Sequence, residues 1–317
     1  MAEITILMAT YNGERFLRQQ LDSIFAQTEG NFLLVVSDDC STDGTAAILR
    51  EYKQRFPGKM RLFIRRTPSG GAAENFFSML SALRKGVFGK PSPYIMLADQ
   101  DDVWLPEKTA NTLGKLRELE ERFGSGTPLL VHGDLTLVDE EEQVISESMF
   151  RYQKLVGEPI DLPLQLIQNS VTGCTVMFNR ALLSKLRRIP EYAVMHDWWL
   201  GLIAAAFGHI GFLETPYILY RQHGSNTEGA KNYTGVSSLA RLAGNRSRIR
   251  HSLKRTYRQA ADFYRIYKNE LNPEERKMVA AFSNIPARNY LGRIRTIRRY
   301  DFWKADRARR LGQLLNT

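Results

Sequence analysis

A doubly wound α/β fold with a mainly parallel sheet flanked by helices is what this sequence predicts, and three observations carry the prediction. Short apolar runs alternate with helix-period segments through about the first 220 residues. Several of these runs stop abruptly at polar or acidic clusters. Beyond Gly229 the strand signals cease and a strongly basic, helix-period stretch follows. Strands alternating with helices of this length pair in parallel through right-handed crossovers, which gathers the carboxyl ends of successive strands along one edge.

Residues 4–9 are an apolar run that ends in Thr10-Tyr11-Asn12-Gly13, after which Phe16, Leu17, Gln20, Leu21, Ile24 and Phe25 recur at helical spacing. Residues 32–36 form the next strand. It runs into Asp38-Asp39-Cys40-Ser41-Thr42-Asp43-Gly44 ahead of a helix through Ile48, Leu49 and Tyr52. A short strand at 62–64 precedes Pro68-Ser69-Gly70-Gly71 and a helix bearing Phe76, Phe77, Leu80 and Leu83. The fourth run, 94–98, is uniformly apolar, as a strand covered on both faces must be, and it delivers Asp99, Gln100, Asp101 and Asp102 where it stops. Pro106 and Glu107 then open a charged helix at 108–122. Three polar strand ends are therefore expected in one crevice.

Residues 129–132, 136–138 and the β-rich 172–178 read as strands, the last followed by a helix through Leu182 and Leu186. Met195-His196-Asp197-Trp198-Trp199 leads into an apolar helix at 200–207. Residues 211–213 and 217–220 read as two closing strands before the loop Arg221-Gln222-His223-Gly224-Ser225-Asn226. Further on, Leu239, Leu242, Ile249, Leu253, Tyr257, Phe263, Tyr264 and Tyr267 sit among Arg and Lys at helical spacing. A second such segment spans 274–315, with Pro286 bending or ending a helix. The expected organisation is an α/β domain over residues 1–230 and a basic helical extension over 231–317.

Of 44 Lys and Arg residues, 20 fall from Arg241 onward, against 6 of the 34 acidic ones, so the last 77 residues carry +14 and the first 240 carry −4. The two cysteines, Cys40 and Cys174, make no disulfide framework and read as small buried hydrophobes. The opening Met-Ala-Glu-Ile-Thr-Ile lacks a charged leader region, and no window approaches 18 uninterrupted apolar residues. A reduced, cytoplasmic setting without a membrane span is the expectation.

Three carboxylates within four residues, Asp99, Asp101 and Asp102, repel one another and resist desolvation, so the cluster calls for a cation or for donors among them. Oxygen-only ligation beside a nucleotide diphosphate suits Mg2+ or Mn2+. A solvated acidic turn capping the next helix is the other reading. Asp38 and Asp39 can accept from the ring N–H of uracil or thymine, or can belong to a helix start with Ser41, Thr42 and Asp43. Thr10, Tyr11 and Asn12 can stack on and hydrogen-bond the same nucleoside, or simply make a polar turn. Asp197, before two tryptophans, is a general base shielded from water or an N-cap. His196 beside it is structural or a hydrogen-bonding partner. His223 can meet metal or diphosphate, and Arg221 has the fork geometry for phosphate. Aromatic residues interleaved with the basic tail suit nucleic acid or a membrane surface.

In this order, the segments ILMATYNGERFL, VVSDDCSTDGT, LADQDDVWLPEK, VTGCTVMFNR, MHDWWL and YRQHGSN resemble the family 2 inverting glycosyltransferases of the GT-A, Rossmann-like fold. The wording DQDDVWLP, ESM, MHDW and YRQH is most similar to bacterial rhamnosyltransferases of surface polysaccharides. The resemblance covers roughly residues 4–229. It implies a nucleotide-sugar pocket from Thr10, Tyr11, Asn12, Asp38 and Asp39, with Asp99 and Asp101 reaching sugar and metal and Asp102 close by; Gln100 and Arg221 are also expected on the donor. It further implies a metal at Asp101, Asp102 and His223, and Asp197 as catalytic base. Cys40 departs from the glycine usual there, and for the tail the resemblance implies only variable helices.

The resulting expectation is metal-dependent transfer of a sugar with inversion, L-rhamnose from dTDP-rhamnose by resemblance or a sugar from a UDP donor, to a glycan or lipid-linked acceptor. The basic tail is expected to contact anionic inner-leaflet lipid, to oligomerise or to be solvated helix. A nucleic-acid-binding protein explains the tail but leaves the carboxylates idle. A nucleotidyltransferase uses paired carboxylates too, yet residues 10–15 hold one glycine and no lysine where a phosphate loop is wanted.

Overall fold

The computed structural model describes residues 2–224 and 246–317, so the expected boundary at 230, Ser225, Asn226, Leu239 and Leu242 lie outside the described residues. In chain order the body comprises β1 (Ile4–Thr10), α1 (Glu14–Phe25), β2 (Phe32–Asp38), α2 (Thr45–Arg55), β3 (Met60–Ile64), α3 (Ala72–Arg84), β4 (Tyr94–Ala98) and β5 (Val103–Trp104). It continues with α4 (Lys108–Phe123), β6 (Leu129–Gly133), β7 (Thr136–Val138), β8 (Val144–Ser146), α5 (Met149–Gln153) and α6 (Leu162–Ile167). Then come β9 (Met177–Asn179), α7 (Arg180–Lys185), α8 (His196–Phe207), β10 (His209–Leu213) and β11 (Ile218–Arg221).

Seven of these strands form one sheet in the order β10-β6-β9-β4-β1-β2-β3, parallel throughout except β9, which runs against both neighbours. Helices cover the sheet, so β4 is buried at all five positions, which accounts for its uniformly apolar composition. Register sets the expected edge: Thr10 lies opposite Asp38, and Met8 opposite Ala98, the residue before Asp99. The polar ends of β1, β2 and β4 therefore stand level.

Where the structure departs from the pattern expected of the sequence, local chemistry explains it. The β-rich stretch at 172–178 is a 3-10 turn, Gly173–Thr175, followed by the short reversed strand β9, because the Thr175 hydroxyl donates back to the Thr172 carbonyl at 2.7 Å. The two closing strands part company. β10 extends the main sheet beside β6, whereas β11 joins a second sheet, β5-β11-β7-β8. β5 and β8, with two and three residues, are too short to show an alternation in sequence.

The C-terminal region forms α9 (Arg246–Tyr267), α10 (Pro273–Ser283), α11 (Tyr290–Tyr300) and α12 (Arg307–Asn316). Asn272 and Glu275 make a reciprocal capping box at the start of α10. Pro286 sits in a 3-10 turn, Ile285–Ala287, that separates α10 from α11. The apolar sides of these helices supply Leu253, Tyr257, Phe263, Tyr267 and Phe282, and the link between α11 and α12 supplies Phe302, to the same buried cluster as Trp199, Leu202 and Ile203 of α8. Each such aromatic contributes on the order of 2 kcal/mol by burial, so the extension is joined to the body by its core.

One glycine fixes how α8 passes into β10. A Cβ at Gly208 would lie 1.7 Å from the Pro128 carbonyl oxygen, which accepts the His209 N–H at 3.1 Å. Neither backbone segment can yield without breaking that bond. Gly208→Ala is expected to destabilise by about 3 kcal/mol in thermal or denaturant unfolding. A midpoint indistinguishable from wild type would contradict this packing.

Candidate functional site

An open cleft of about 1240 Å3 runs along the carboxyl edge of the main sheet. At one end it is walled by Thr10, Tyr11, Asp39, Cys40, Thr42 and the turn at 70–72. Asp99, Gln100 and Asp101 form its floor, and Asp197 lies in its wall. Asn12, Asp38, Asp102, Arg221 and His223 stand behind this lining and hold it.

The first end is built by cross-bracing between two strand ends. Asp38 is fully buried and accepts the Thr10 hydroxyl at 2.9 Å, the Ser41 hydroxyl at 2.6 Å and the Ser41 N–H at 3.1 Å. Asp39 accepts the Ser69 N–H and hydroxyl, both at 2.7 Å, and pairs with Arg65 at 3.3 Å while its edge reaches the cleft. Asn12 has a left-handed backbone, φ 47°, and its side-chain oxygen accepts the Thr42 N–H at 2.8 Å. Gln100 bonds both backbone groups of Tyr11, accepting its N–H at 2.9 Å and donating to its carbonyl at 3.0 Å. Tyr11 is thereby fixed at the cleft mouth and stays 58% exposed. Cys40 adopts φ 64°, the left-handed conformation glycine takes most easily, and its thiol meets the Arg65 carbonyl at 3.4 Å.

The floor is a carboxylate cluster. Desolvation, and then Asp101 and Asp197, push Asp99 up to about 7. Asp102 is 1% exposed; desolvation, and then Asp101 and Asp99, raise it well above the carboxylate range. The Cys174 thiol and the Arg221 backbone N–H meet the Asp102 carboxylate, and neither offsets its burial. Asp101 is met by His223 Nε2 at 2.9 Å, and that ring packs on Phe16. Arg221, 2% exposed, donates to the Asp101 carbonyl at 3.2 Å, the Glu140 carbonyl at 2.8 Å and Gln19 Oε1 at 2.7 Å. Its guanidinium straps the Asp101 backbone.

The donor set fits a hard divalent cation. Asp99, Asp102 and Cys174 can each place one ligand atom within 4.8 Å of the others, and the buried Asp102 oxygens want a cation. Burial, with the adjacent carboxylates, holds the Cys174 thiol protonated, which leaves the carboxylates as the ligands suited to Mg2+ or Mn2+.

Asp197 sits in the first turn of α8, whose N-cap is Met195, so it does not serve as the cap. Its carboxylate accepts the Trp198 N–H at 2.6 Å, with the Gly173 N–H and the Asn169 amide also donating. Burial still outweighs these bonds and pushes it up to about 6. A Cβ at Gly173 would come within 3.5 Å of Asp197 Oδ2 and 3.1 Å of His196 Nε2. Asn169 and Gly173 are the residues that sequence reading did not single out. The nearest signal was the motif VTGCT itself. His196 is 3% exposed, stacked on Phe76 at 4.1 Å, and burial lowers it to about 3, so it is neutral and is no nucleophilic anchor.

The remaining wall comes from the C-terminal helices. Arg248, His251, Ser252 and Arg255 of α9, with Lys304 and Arg309, line the same cleft. Arg255 donates to the Val194 carbonyl at 3.0 Å, and Gln259 accepts the Val194 N–H at 2.7 Å, two residues before α8 begins.

A family model described as glycosyl transferase family 2 matches residues 5–187. The dTDP-rhamnosyl transferase RfbG of Shigella flexneri is 28% identical over 233 residues, covering 70% of this chain and 74% of that protein. Among solved structures, S. aureus TarS 1-349 in complex with UDP superposes with a TM-score of 0.56 at 17% identity, over 89% of this chain and 70% of that one. The mannosyltransferase PcManGT of Pyrobaculum calidifontis, in complex with GDP-Man and Mn2+, gives 0.54 at 16% identity, over 93% and 73%. These likenesses establish the mixed α/β glycosyltransferase fold.

Proposed function

This chain belongs to glycosyl transferase family 2, and from that premise we propose a metal-dependent inverting transfer of a sugar, L-rhamnose from dTDP-rhamnose, to an acceptor hydroxyl on a lipid-linked surface polysaccharide. The observation that carries the reading is a single cleft holding, in sequence, a nucleoside-sized end, a carboxylate floor and a buried carboxylate raised to about 6. The 28% identity to RfbG supports rhamnose as the sugar.

On this reading Tyr11 stacks on the base and Asp39 accepts from its ring N–H, while Asp38, Asn12 and Gln100 hold the loops that present them. Asp99, Asp101 and Asp102 hold Mn2+ or Mg2+, with His223 and Arg221 fixing Asp101. A divalent cation bound there supplies positive charge to the leaving diphosphate. Asp197 takes the acceptor's proton as that oxygen attacks the anomeric carbon opposite the departing diphosphate, a single displacement with no covalent intermediate. Asn169 and the Gly173 N–H keep the carboxylate aimed and ionised. No helix among the described residues is long and apolar enough to cross a membrane. The reading places the chain as a peripheral enzyme at the inner face of the cytoplasmic membrane.

A thermal-shift panel of nucleoside diphosphates and their sugars, each with Mn2+, Mg2+ or chelator, tests donor and metal together. Stabilisation by thymidine diphosphate and dTDP-rhamnose, lost in chelator, is the expected result. A response to uridine nucleotides alone would replace the donor, and silence across the panel would remove the reading.

A further inference from the structure

The C-terminal extension carries a cationic surface inward as well as outward. Arg248, Arg255, Lys304 and Arg309 all line the cleft, with His251 and Ser252 beside them. The contacts at Arg255, beside Lys304 and at Arg309 place this wall toward the Asp197 end. Arg255 is bonded to the Val194 carbonyl, just ahead of the helix bearing Asp197. The chain beside Lys304 is tied to the loop that holds Asn169, since Ala305 N–H donates to Gln168 Oε1 at 3.2 Å. Arg309 donates to the Gln153 carbonyl at 2.8 Å, and Gln153 lines the cleft as well. The opposite end, at Tyr11 and Asp39, is where a nucleoside belongs, and the carboxylate floor lies between.

We infer that these cations form an anion-binding subsite on the acceptor side of the cleft, built to hold a phosphate or diphosphate group on the acceptor while its hydroxyl meets Asp197. The inference rests on the proposed transfer for the word acceptor, but the anion site stands on the cleft lining alone. Arginine forks suit phosphate oxygens, and a group of them on one wall confers binding that no single exposed side chain would. Desolvation and the nearby Arg309 lower Lys304 to about 8, so its ammonium also gains from a bound anion. The cations belong to the part of the chain that the family match, ending at residue 187, does not cover. A donor common to many enzymes would thus be read by the body, and the acceptor by the extension.

The test titrates the full-length protein by calorimetry in EDTA with geranyl diphosphate, inorganic pyrophosphate and uncharged geraniol, and separately with thymidine diphosphate and Mn2+. Wild type is expected to bind the diphosphates and not geraniol. R255Q/K304Q is expected to bind geranyl diphosphate about tenfold more weakly or worse while keeping thymidine diphosphate and Mn2+ within about twofold. Tighter binding of geranyl diphosphate than of pyrophosphate marks a lipid-linked phosphate as the occupant, and equal binding marks a phosphate on a soluble acceptor. R248Q, altered at an exposed position, should weaken the diphosphates in the same direction, which separates loss of a ligand contact from a disturbed fold. Equal affinity in wild type and R255Q/K304Q, no diphosphate binding by wild type, or parallel loss of the nucleotide would each overturn the subsite. Loss of binding to phosphatidylglycerol vesicles without loss of geranyl diphosphate would overturn it too, by assigning the cations to a membrane surface. If wild type binds the diphosphates but no nucleotide with Mn2+, the donor reading fails and the subsite survives.

Discussion

Asp197→Asn is expected to lower turnover by about 10^2 to 10^4 while leaving the unfolding midpoint and the metal-dependent binding of donor near wild type. The substitution keeps the shape of a side chain that is 8% exposed and removes only its capacity to take a proton. The wild-type carboxylate is raised to about 6, chiefly because burial strips it of water, against the hydrogen bond from the Trp198 N–H that lowers it. Its ordinary value is 3.8, so the shift places the group where it is mostly ionised at neutral pH yet basic enough to accept a proton. The sign follows directly. Activity requires the deprotonated form, so kcat/KM for wild type should rise with pH to a plateau above about 6 and fall tenfold per unit below it, and the residual activity of the variant should lack that limb. Because the raised value reflects a buried charge that folding must tolerate, the Asn variant should be no less stable than wild type. Activity within about threefold of wild type would remove Asp197 from the role of base.

Much of this arrangement is legible in the amino-acid sequence, and the reasons lie in particular residues. Residues 94–98 announce a strand buried on both faces because nothing polar interrupts them, and the parallel register then brings Thr10, Asp38 and Asp99 to one edge without further information. What a strand end does with its polar side chains is a different matter. Asp38 and Asp39 are adjacent and chemically identical, yet Asp38 turns inward to Thr10 and Ser41 while Asp39 reaches the cleft. Arg221 offered a fork for phosphate by its type alone, but residues 19, 101 and 140 converge on it only in three dimensions. The cationic wall was hidden for the same reason: in sequence Arg255 and Lys304 are merely two of 20 basic residues in a basic tail. Its helical period was visible, and the face turned to Trp199 and the cleft was not.

Asp101→Ala is expected to abolish the metal-dependent stabilisation by nucleotide while leaving the metal-free protein as stable as wild type or more so. Two opposing effects of one carboxylate produce that pattern. Without a cation, Asp101 repels Asp99 and Asp102, and its charge is the first neighbouring contribution that raises both. Removing it relieves like-charge repulsion in a poorly solvated cluster and releases His223 from its 2.9 Å contact. With a cation the balance reverses, because the attraction of three carboxylates for a divalent ion exceeds their mutual repulsion. For wild type at a hundredfold excess of nucleotide and Mn2+ over the dissociation constant, linkage gives about 2.7 kcal/mol of added stability, which appears as a rise of several degrees in the unfolding midpoint. The variant should show little of that rise, and its metal-free midpoint should not fall. A destabilised metal-free variant would mean that the Asp101 side chain works as a structural partner of His223. A full nucleotide response with Mn2+ in the variant would move the metal to Asp99 and Asp102 alone, the pair whose ligand atoms lie together with the Cys174 thiol.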